Sequence, residues 1–398
     1  MPFNKRLMNT GTIFAPLTFS MNISYVTTHD AMDVHNWSGS SYYIAKALES
    51  EHVEMDYIGS LNIRHNKILK SKEFFYKKAL RKRYQYQREP AVADDYARQI
   101  AERVKPGSDL IFSPGSLPVA RLHSHQPKVF YTDATFAGML NFYESFTNLC
   151  AETIRNGHRL EQDALSSCSL AIYSSDWAAR TAMDNYNVDP AKVKVVPFGA
   201  NIQCNRNTDD IKRIIARRSK DTCKLLFLGV DWVRKGGPLV LEMAGLLHKA
   251  GLRTELHIAG IRSLPIDDLP EYVHDHGFIS KATPEGKARL EQLIADSHFL
   301  VLPAKAEAYG LVLCEANSFG VPDIVSNVGG IPTIVKQDVN GKLFPSGTHV
   351  VEYAHYIGNL FSHYEEYEQL ALSSFEAFQQ RLNWKVAGNQ LMQLLSAL

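Results

Sequence analysis

Residues 299–317 read Phe299-Leu-Val-Leu-Pro303-Ala-Lys-Ala-Glu307-Ala-Tyr-Gly310-Leu-Val-Leu-Cys-Glu315-Ala-Asn. An apolar run of strand length ends at a proline, a short loop carries Glu307, and Gly310 lets the backbone turn into a helix that bears Glu315. The same succession recurs in Lys224-Leu-Leu-Phe-Leu-Gly229, Glu255-Leu-His-Ile-Ala-Gly260 and Asp323-Ile-Val-Ser326, each followed by a helical or loop segment. Before them, Asn22-Ile-Ser-Tyr-Val-Thr27, Leu110-Ile-Phe-Ser113, Val129-Phe-Tyr131 and Leu170-Ala-Ile-Tyr-Ser174 alternate with polar helical stretches. Alternation of this kind predicts βαβ units with parallel strands. The expected architecture is α/β, with two Rossmann-like halves joined near 197–205, just after Val193-Lys-Val-Val-Pro197. Ligands of parallel sheets bind outside the carboxyl ends of the strands, so the cleft between the halves is the expected site. Residues 1–20 read as a loose leader before the first strand, with Met21 a candidate start.

Composition narrows the function classes. A chain of 398 residues makes two to three domains at about 150 residues each. Lys and Arg total 43 against 42 Asp and Glu, a formal charge of +1 that does not suit a strongly basic nucleic-acid binder. The five cysteines, at 150, 168, 204, 223 and 314, are scattered and contain no C-x-x-C pair, which points to a reducing cytoplasm and away from a zinc ribbon. No apolar run reaches the roughly 20 residues needed to span a bilayer.

One stretch breaks the charge balance. Ten Lys or Arg lie between Arg64 and Arg88, interleaved with Phe74, Phe75, Tyr76, Tyr84 and Tyr86. Such a segment suits contact with anionic headgroups or a phosphorylated acceptor; a solvated helix face or a loop is the alternative.

The chemistry concentrates in two turns. Amides around Tyr309, Gly310, Leu311 and Val312 sit where a helix begins, a favourable place for phosphate. Glu307 and Glu315 would repel a diphosphate if aimed at its oxygens, and make sense as acceptors of sugar hydroxyls. The second turn, Leu228-Gly229-Val-Asp-Trp-Val-Arg234-Lys235-Gly236-Gly237, supplies positive charge where a departing diphosphate needs it, a task that a metal performs elsewhere. No Asp-x-Asp pair occurs in the chain, and no metal or other cofactor is expected.

Taken together, the Gly229–Gly237 loop, Glu307 with Glu315 eight residues on, and Val328-Gly-Gly-Ile-Pro332 resemble the retaining GT-B glycosyltransferases of family 4, over Met21 to about Trp384. The resemblance implies a GT-B fold with an N-terminal acceptor half over 21–198, a sugar-nucleotide-binding half over 199–379, and a last helix, about 380–398, crossing back to the first half. It implies that Glu307 contacts the donor sugar, Glu315 the ribose, and Lys235 the diphosphate. Phe278 falls where the family places the nucleobase; a core strand residue is the other reading. Gly39, in Trp37-Ser-Gly39-Ser, matches the family's first glycine loop, although Ser38 replaces its first glycine. Asp133 stands where many relatives carry a histidine, as a partner for a sugar or acceptor hydroxyl or as a helix cap. Relatives often place Arg directly after the glycine of the basic loop; here that residue is Val230, and Arg234 either supplies the charge or is a solvated neighbour of Lys235. The acidic residue that often follows Gly-Gly-x-Pro is Thr333. His29, His35, His123 and His125 lack metal-ligand spacing, and Trp177 and Trp384 read as packing anchors.

The implied function is retaining transfer of a sugar from a nucleoside-diphosphate sugar to a sugar, lipid-linked or other hydroxyl acceptor, in surface polysaccharide, glycolipid or glycoconjugate synthesis. Its implied setting is the cytoplasm, with a peripheral membrane contact through 64–88 and no nucleic acid. An epimerase or phosphorylase on the same fold and a non-catalytic sugar-nucleotide scaffold are the alternatives; Lys235, Glu307 and Glu315 together argue against a mere scaffold. An NAD-dependent dehydrogenase would need a G-x-G-x-x-G between strand and helix, which is absent.

Overall fold

The computed structural model describes residues 21–64 and 66–398; the leader expected over 1–20 lies outside the described residues. Among the described residues, twelve short strands form two parallel sheets. The first contains β1 (Asn22–Val26), β2 (Glu54–Ile58), β3 (Leu110–Ser113), β4 (Lys128–Thr132), β5 (Leu170–Tyr173) and β6 (Val193–Val195) in the order β2-β1-β3-β4-β5-β6. The second contains β7 (Cys223–Leu228), β8 (Thr254–Ala259), β9 (Val273–Asp275), β10 (Phe299–Leu302), β11 (Asp323–Ser326) and β12 (Gly341–Phe344) in the order β12-β11-β10-β7-β8-β9. Helices cover both faces, so the central strands are buried throughout and read as continuous apolar runs. Thr27, Gly229, Gly260 and Pro303, read as strand ends in the sequence, fall one residue beyond them and begin the turns that build the site.

The two sheets meet at Phe198. Its ring lies against Trp37 and Tyr131 of the first half at 5.6 and 4.7 Å between centroids, against Tyr309 of the second at 5.2 Å, and against Trp384 at 5.5 Å. Its carbonyl accepts the Tyr309 hydroxyl at 2.7 Å. Beside it, Asn201 donates to the Ser38 carbonyl at 2.8 Å and accepts from Trp384 Nε1 at 2.9 Å. Aromatic rings clustered in this way add edge-to-face attraction to their burial and fix orientation.

From this joint the chain returns to where it began. After the helix Tyr364–Arg381, the helix Trp384–Leu395 lies against Ser40–Glu49 of the first half. Trp384 stacks on Tyr43, and Gly388 passes so close to the Ala47 carbonyl that a Cβ would stand 2.8 Å from it. A second tie runs through Thr333, whose hydroxyl donates to Asp176 Oδ2 at 2.9 Å and accepts the Asp176 amide at 3.0 Å. Thr333 thus forms an uncharged link between the halves.

Replacing Phe198 by Ala removes the ring that all four neighbours share and is expected to destabilise the protein by about 3–5 kcal/mol. Thermal unfolding followed by circular dichroism checks this, and an unchanged midpoint would show that the halves are held elsewhere.

Candidate functional site

The loop after β7 threads a lysine past a glycine. A Cβ on Gly229 would lie 2.3 Å from Lys235 Cδ, so only a glycine leaves room for that side chain to run across the end of β7. Lys235, 8% exposed, ends 3.1 Å from Glu307 Oε2. Arg234 reaches the same oxygen at 3.3 Å and donates to the Ala306 carbonyl at 2.7 Å. It is thus turned into the cleft and is not a solvated neighbour of Lys235. Burial opposes its charge, but Glu307, Tyr143 and Asp231 together raise its pKa. Tyr143 comes from the first half: its ring underlies the Arg234 guanidinium at 5.0 Å and its hydroxyl accepts the Ala308 amide at 2.7 Å.

The pair Gly329-Gly330 explains itself at the back of the same loop. Cβ atoms there would stand 2.0 Å from the carbonyls of Glu307 and Ala308, and the Gly330 amide donates to Glu307 O at 3.1 Å. Side chains at these positions would push the Glu307 loop off its place, which gives the glycine pair a structural reason independent of any ligand.

Glu315 occupies the helix Leu311–Asn317, entered through Gly310 at φ +106°. It is fully buried, and Lys281 is ion-paired to its Oε1. Its Oε2 is buried and has no hydrogen-bond partner. An acceptor oxygen held in this state costs roughly 1–3 kcal/mol relative to a satisfied one. Lys281 escaped sequence reading because it lies 34 residues from its partner in a stretch with no motif. Phe278, just after β9, is 44% exposed and stacks under the Arg262 guanidinium at 4.3 Å, so it is no core strand residue.

The first half contributes the opposite wall. Trp37, Ser38 and Gly39 take φ values of 46°, 54° and 83°, three successive left-handed residues before the helix Ser40–Glu49. For a tryptophan and a serine that conformation costs about 1–2 kcal/mol each, and it holds only because the surroundings impose it. The surroundings are the Phe198 ring and Asp133, whose Oδ2 accepts from Trp37 Nε1 at 3.3 Å. Asp133 caps nothing; Thr135 caps the helix Phe136–Met139 through the Gly138 amide at 3.0 Å. Burial raises the Asp133 pKa to about 6; the Trp37 bond works against this and the charge of Glu307 adds to it.

All twelve residues singled out in the sequence, Gly39, Asp133, Gly229, Arg234, Lys235, Phe278, Glu307, Tyr309, Gly310, Leu311, Val312 and Glu315, line one cleft of about 420 Å³. That volume falls within the ~300–1,000 Å³ of small-molecule sites. They do not all face it equally: the hydroxyl of Tyr309 is committed to the Phe198 carbonyl, so that side chain belongs to the joint. Sequence reading missed Lys281, Tyr143 and Trp37. Among the described residues, no group of three or more His, Cys, Asp or Glu is arranged to hold a metal ion, and no helix is long and apolar enough to cross a membrane.

Because burial raises its pKa from 3.8 to about 6, Asp133 ionises at the expense of folding as pH rises through that interval. Asp133→Asn is therefore expected to raise the melting temperature relative to the parent protein at pH 7–8, with the gain vanishing below about pH 4. A pH-independent difference would mean that the carboxylate is well solvated.

The fold agrees with comparisons to known proteins. Residues 222–363 match the family model described as glycosyl transferases group 1. D-inositol 3-phosphate glycosyltransferase from Acidothermus cellulolyticus is 27% identical over 215 residues, covering 50% of this chain and 47% of that protein. The match thus spans about half the length of the curated relatives. Among solved structures, Anabaena HepE in complex with UDP and glucose superposes with a TM-score of 0.62 at 16% identity, covering 95% of this chain and 100% of that one. Sucrose-phosphate synthase from Thermosynechococcus elongatus does so with a TM-score of 0.67 at 16% identity, covering 95% and 98%. The fold is GT-B, the chain resembles the retaining glycosyltransferases of family 4, and its second sheet lies within a segment that matches the glycosyl transferases of group 1.

Proposed function

We propose that the chain is a retaining glycosyltransferase that moves a sugar from a nucleoside-diphosphate sugar to an acceptor hydroxyl, in surface polysaccharide, glycolipid or glycoconjugate synthesis. The observation that carries this reading is the fully buried Glu315, paired to Lys281 on one oxygen and open on the other, in the same cleft as the Arg234–Lys235–Glu307 cluster. A ribose hydroxyl satisfies the open oxygen; a diphosphate satisfies the two cations. Phe278 and Arg262 offer a platform for the base. UDP is the first nucleotide to consider, since HepE was solved with UDP, with UDP and glucose, and with UDP-glucose.

In this scheme residues 199–379 hold the donor, and 21–198 with the terminal helix, about 380–398, hold the acceptor. Lys235, Arg234 and the amides of Leu311 and Val312 stabilise charge that develops on the diphosphate as the bond from sugar C1 to its oxygen breaks. The acceptor oxygen forms the new bond to C1 on the face that the leaving group vacates, and its proton passes to the departing phosphate oxygen. Glu307 accepts hydroxyls of the transferred sugar, and Asp133 orients the acceptor hydroxyl. This scheme requires no metal. The exposed Ile68 and Phe74 among the lysines of 64–88 support a peripheral contact with an anionic surface, and with it a place at the cytoplasmic face of a membrane.

Two measurements test the reading. UDP, GDP, ADP, CDP and dTDP are compared by thermal shift with and without EDTA; one nucleotide at 100 times its Kd is expected to stabilise by about 2.7 kcal/mol regardless of EDTA. With the donor identified, Lys235→Ala is expected to lower kcat by about 10²–10³-fold while the protein stays folded. Absence of a shift with every nucleotide, or wild-type turnover in the variant, refutes the assignment.

A further inference from the structure

A second cavity, of about 250 Å³, opens at the carboxyl ends of β1, β3 and β4 and shares Asp133 with the cleft. Its polar lining is incompletely satisfied. Ser113 Oγ is fully buried and has no partner. Glu161, 2% exposed, accepts the Ser116 hydroxyl on Oε2 at 2.9 Å and leaves Oε1 buried without a partner. Arg88 brings its guanidinium over the rings of Phe136 and Phe146 at 5.0 and 6.0 Å, and among the described residues none accepts a hydrogen bond from it. Its burial lowers its pKa against the opposing pull of Glu161 and Tyr186.

Arg88 also marks a boundary. On its far side lies a third cavity that shares Arg88, Leu117 and Phe146 with the second and is lined by Lys77, Lys82 and Arg83. Arg83 is paired with Glu144 at 2.6 Å, whereas Lys77 and Lys82 are exposed. The basic segment 64–88, whose charge the donor cleft does not use, therefore ends in a half-buried guanidinium that leads towards Asp133.

We propose that the second cavity binds the acceptor and that the acceptor is a polyhydroxylated ring bearing a phosphate ester. Ring hydroxyls donate to Glu161 Oε1 and pair with Ser113 Oγ, the phosphate lies on Arg88 with Lys77 and Lys82 at the mouth, and one hydroxyl is presented at Asp133. A planar guanidinium from which none of the described residues accepts a hydrogen bond fits a phosphate through parallel, charge-assisted N–H bonds, which a neutral hydroxyl matches only weakly. The inference rests on the donor reading for its meaning and on different residues for its test.

Titration calorimetry of the full chain, with and without UDP, compares myo-inositol 1-phosphate and glucose 6-phosphate with myo-inositol and glucose. A parallel arm compares phosphatidylinositol vesicles with phosphatidylcholine vesicles and so distinguishes a soluble phosphate ester from a lipid headgroup. At least one phosphate-bearing polyol is expected to bind about tenfold or more tighter than its neutral counterpart. Arg88→Ala should abolish that preference while UDP affinity stays within about twofold. Since Arg88 also packs on Phe136, the exposed pair Lys77→Glu and Lys82→Glu provides a second variant, expected to weaken phosphate-ester binding several-fold. Equal binding of neutral and phosphorylated polyols, binding of none of them while UDP binds, or a preference unchanged in both variants overturns the proposal. Failure of UDP alone, with the phosphate preference lost in the variants, overturns the donor reading and leaves this site standing.

Discussion

The packing of one ring, Phe198, sets the geometry on which every other feature depends. A parallel sheet places its binding turns at its carboxyl edge, and two such edges make a site only if they face each other at a fixed separation. Phe198 sits on the crossover between the sheets and touches a ring from each half and one from the returning helix, so its burial couples the orientation of all three. The polar bonds around it serve the same end: the carbonyl of Phe198 holds Tyr309, and Asn201 holds Ser38 and Trp384. The left-handed turn at Trp37 is sustained by this joint, since its indole packs on the Phe198 ring.

Within the cleft, charge is balanced locally. Arg234 and Lys235 converge on one oxygen of Glu307, and Lys281 neutralises Glu315. Partly buried ions of this kind persist only when paired, because desolvation of an isolated charge is far costlier than the pair. The arrangement also keeps the long basic side chains extended across the cleft in the free protein, so little side-chain ordering is left to do when an anion arrives. Tyr143 extends this preorganisation across the halves by supporting the Arg234 guanidinium from the acceptor side.

The central strands were legible because strands buried on both faces must be apolar throughout, and Leu225–Leu228 or Phe299–Leu302 announce themselves. The strands that escaped, β2, β9 and β12, all lie at sheet edges. There Glu54, Asp56, His274 and Asp275 face solvent in part, and the apolar signal is diluted. The site was legible where it follows local rules of strand, glycine and helix start. It was illegible where it depends on pairs distant in sequence, as in Lys281 with Glu315, Trp37 with Asp133, or Tyr143 with Arg234. No spacing rule connects such residues; only the packing of the two halves does. Arg88 shows the same limit: sequence reading treats it as the end of a surface charge run, whereas the fold carries it inward beneath Phe136.

The return of Trp384–Leu395 to the first half has a consequence for biosynthesis. As the ribosome extends the chain, the first sheet emerges complete, yet the helix that covers Ser40–Glu49 is made only after the whole of the second sheet. The first half must therefore wait with part of its apolar face uncovered until this later helix emerges, while the second sheet can finish in the meantime. Vectorial synthesis, which usually favours N-terminal domains folding first, is here inverted for the final docking step, and the uncovered face around Tyr43 and Ala47 is where a nascent chain of this fold is most exposed to chaperones and to aggregation.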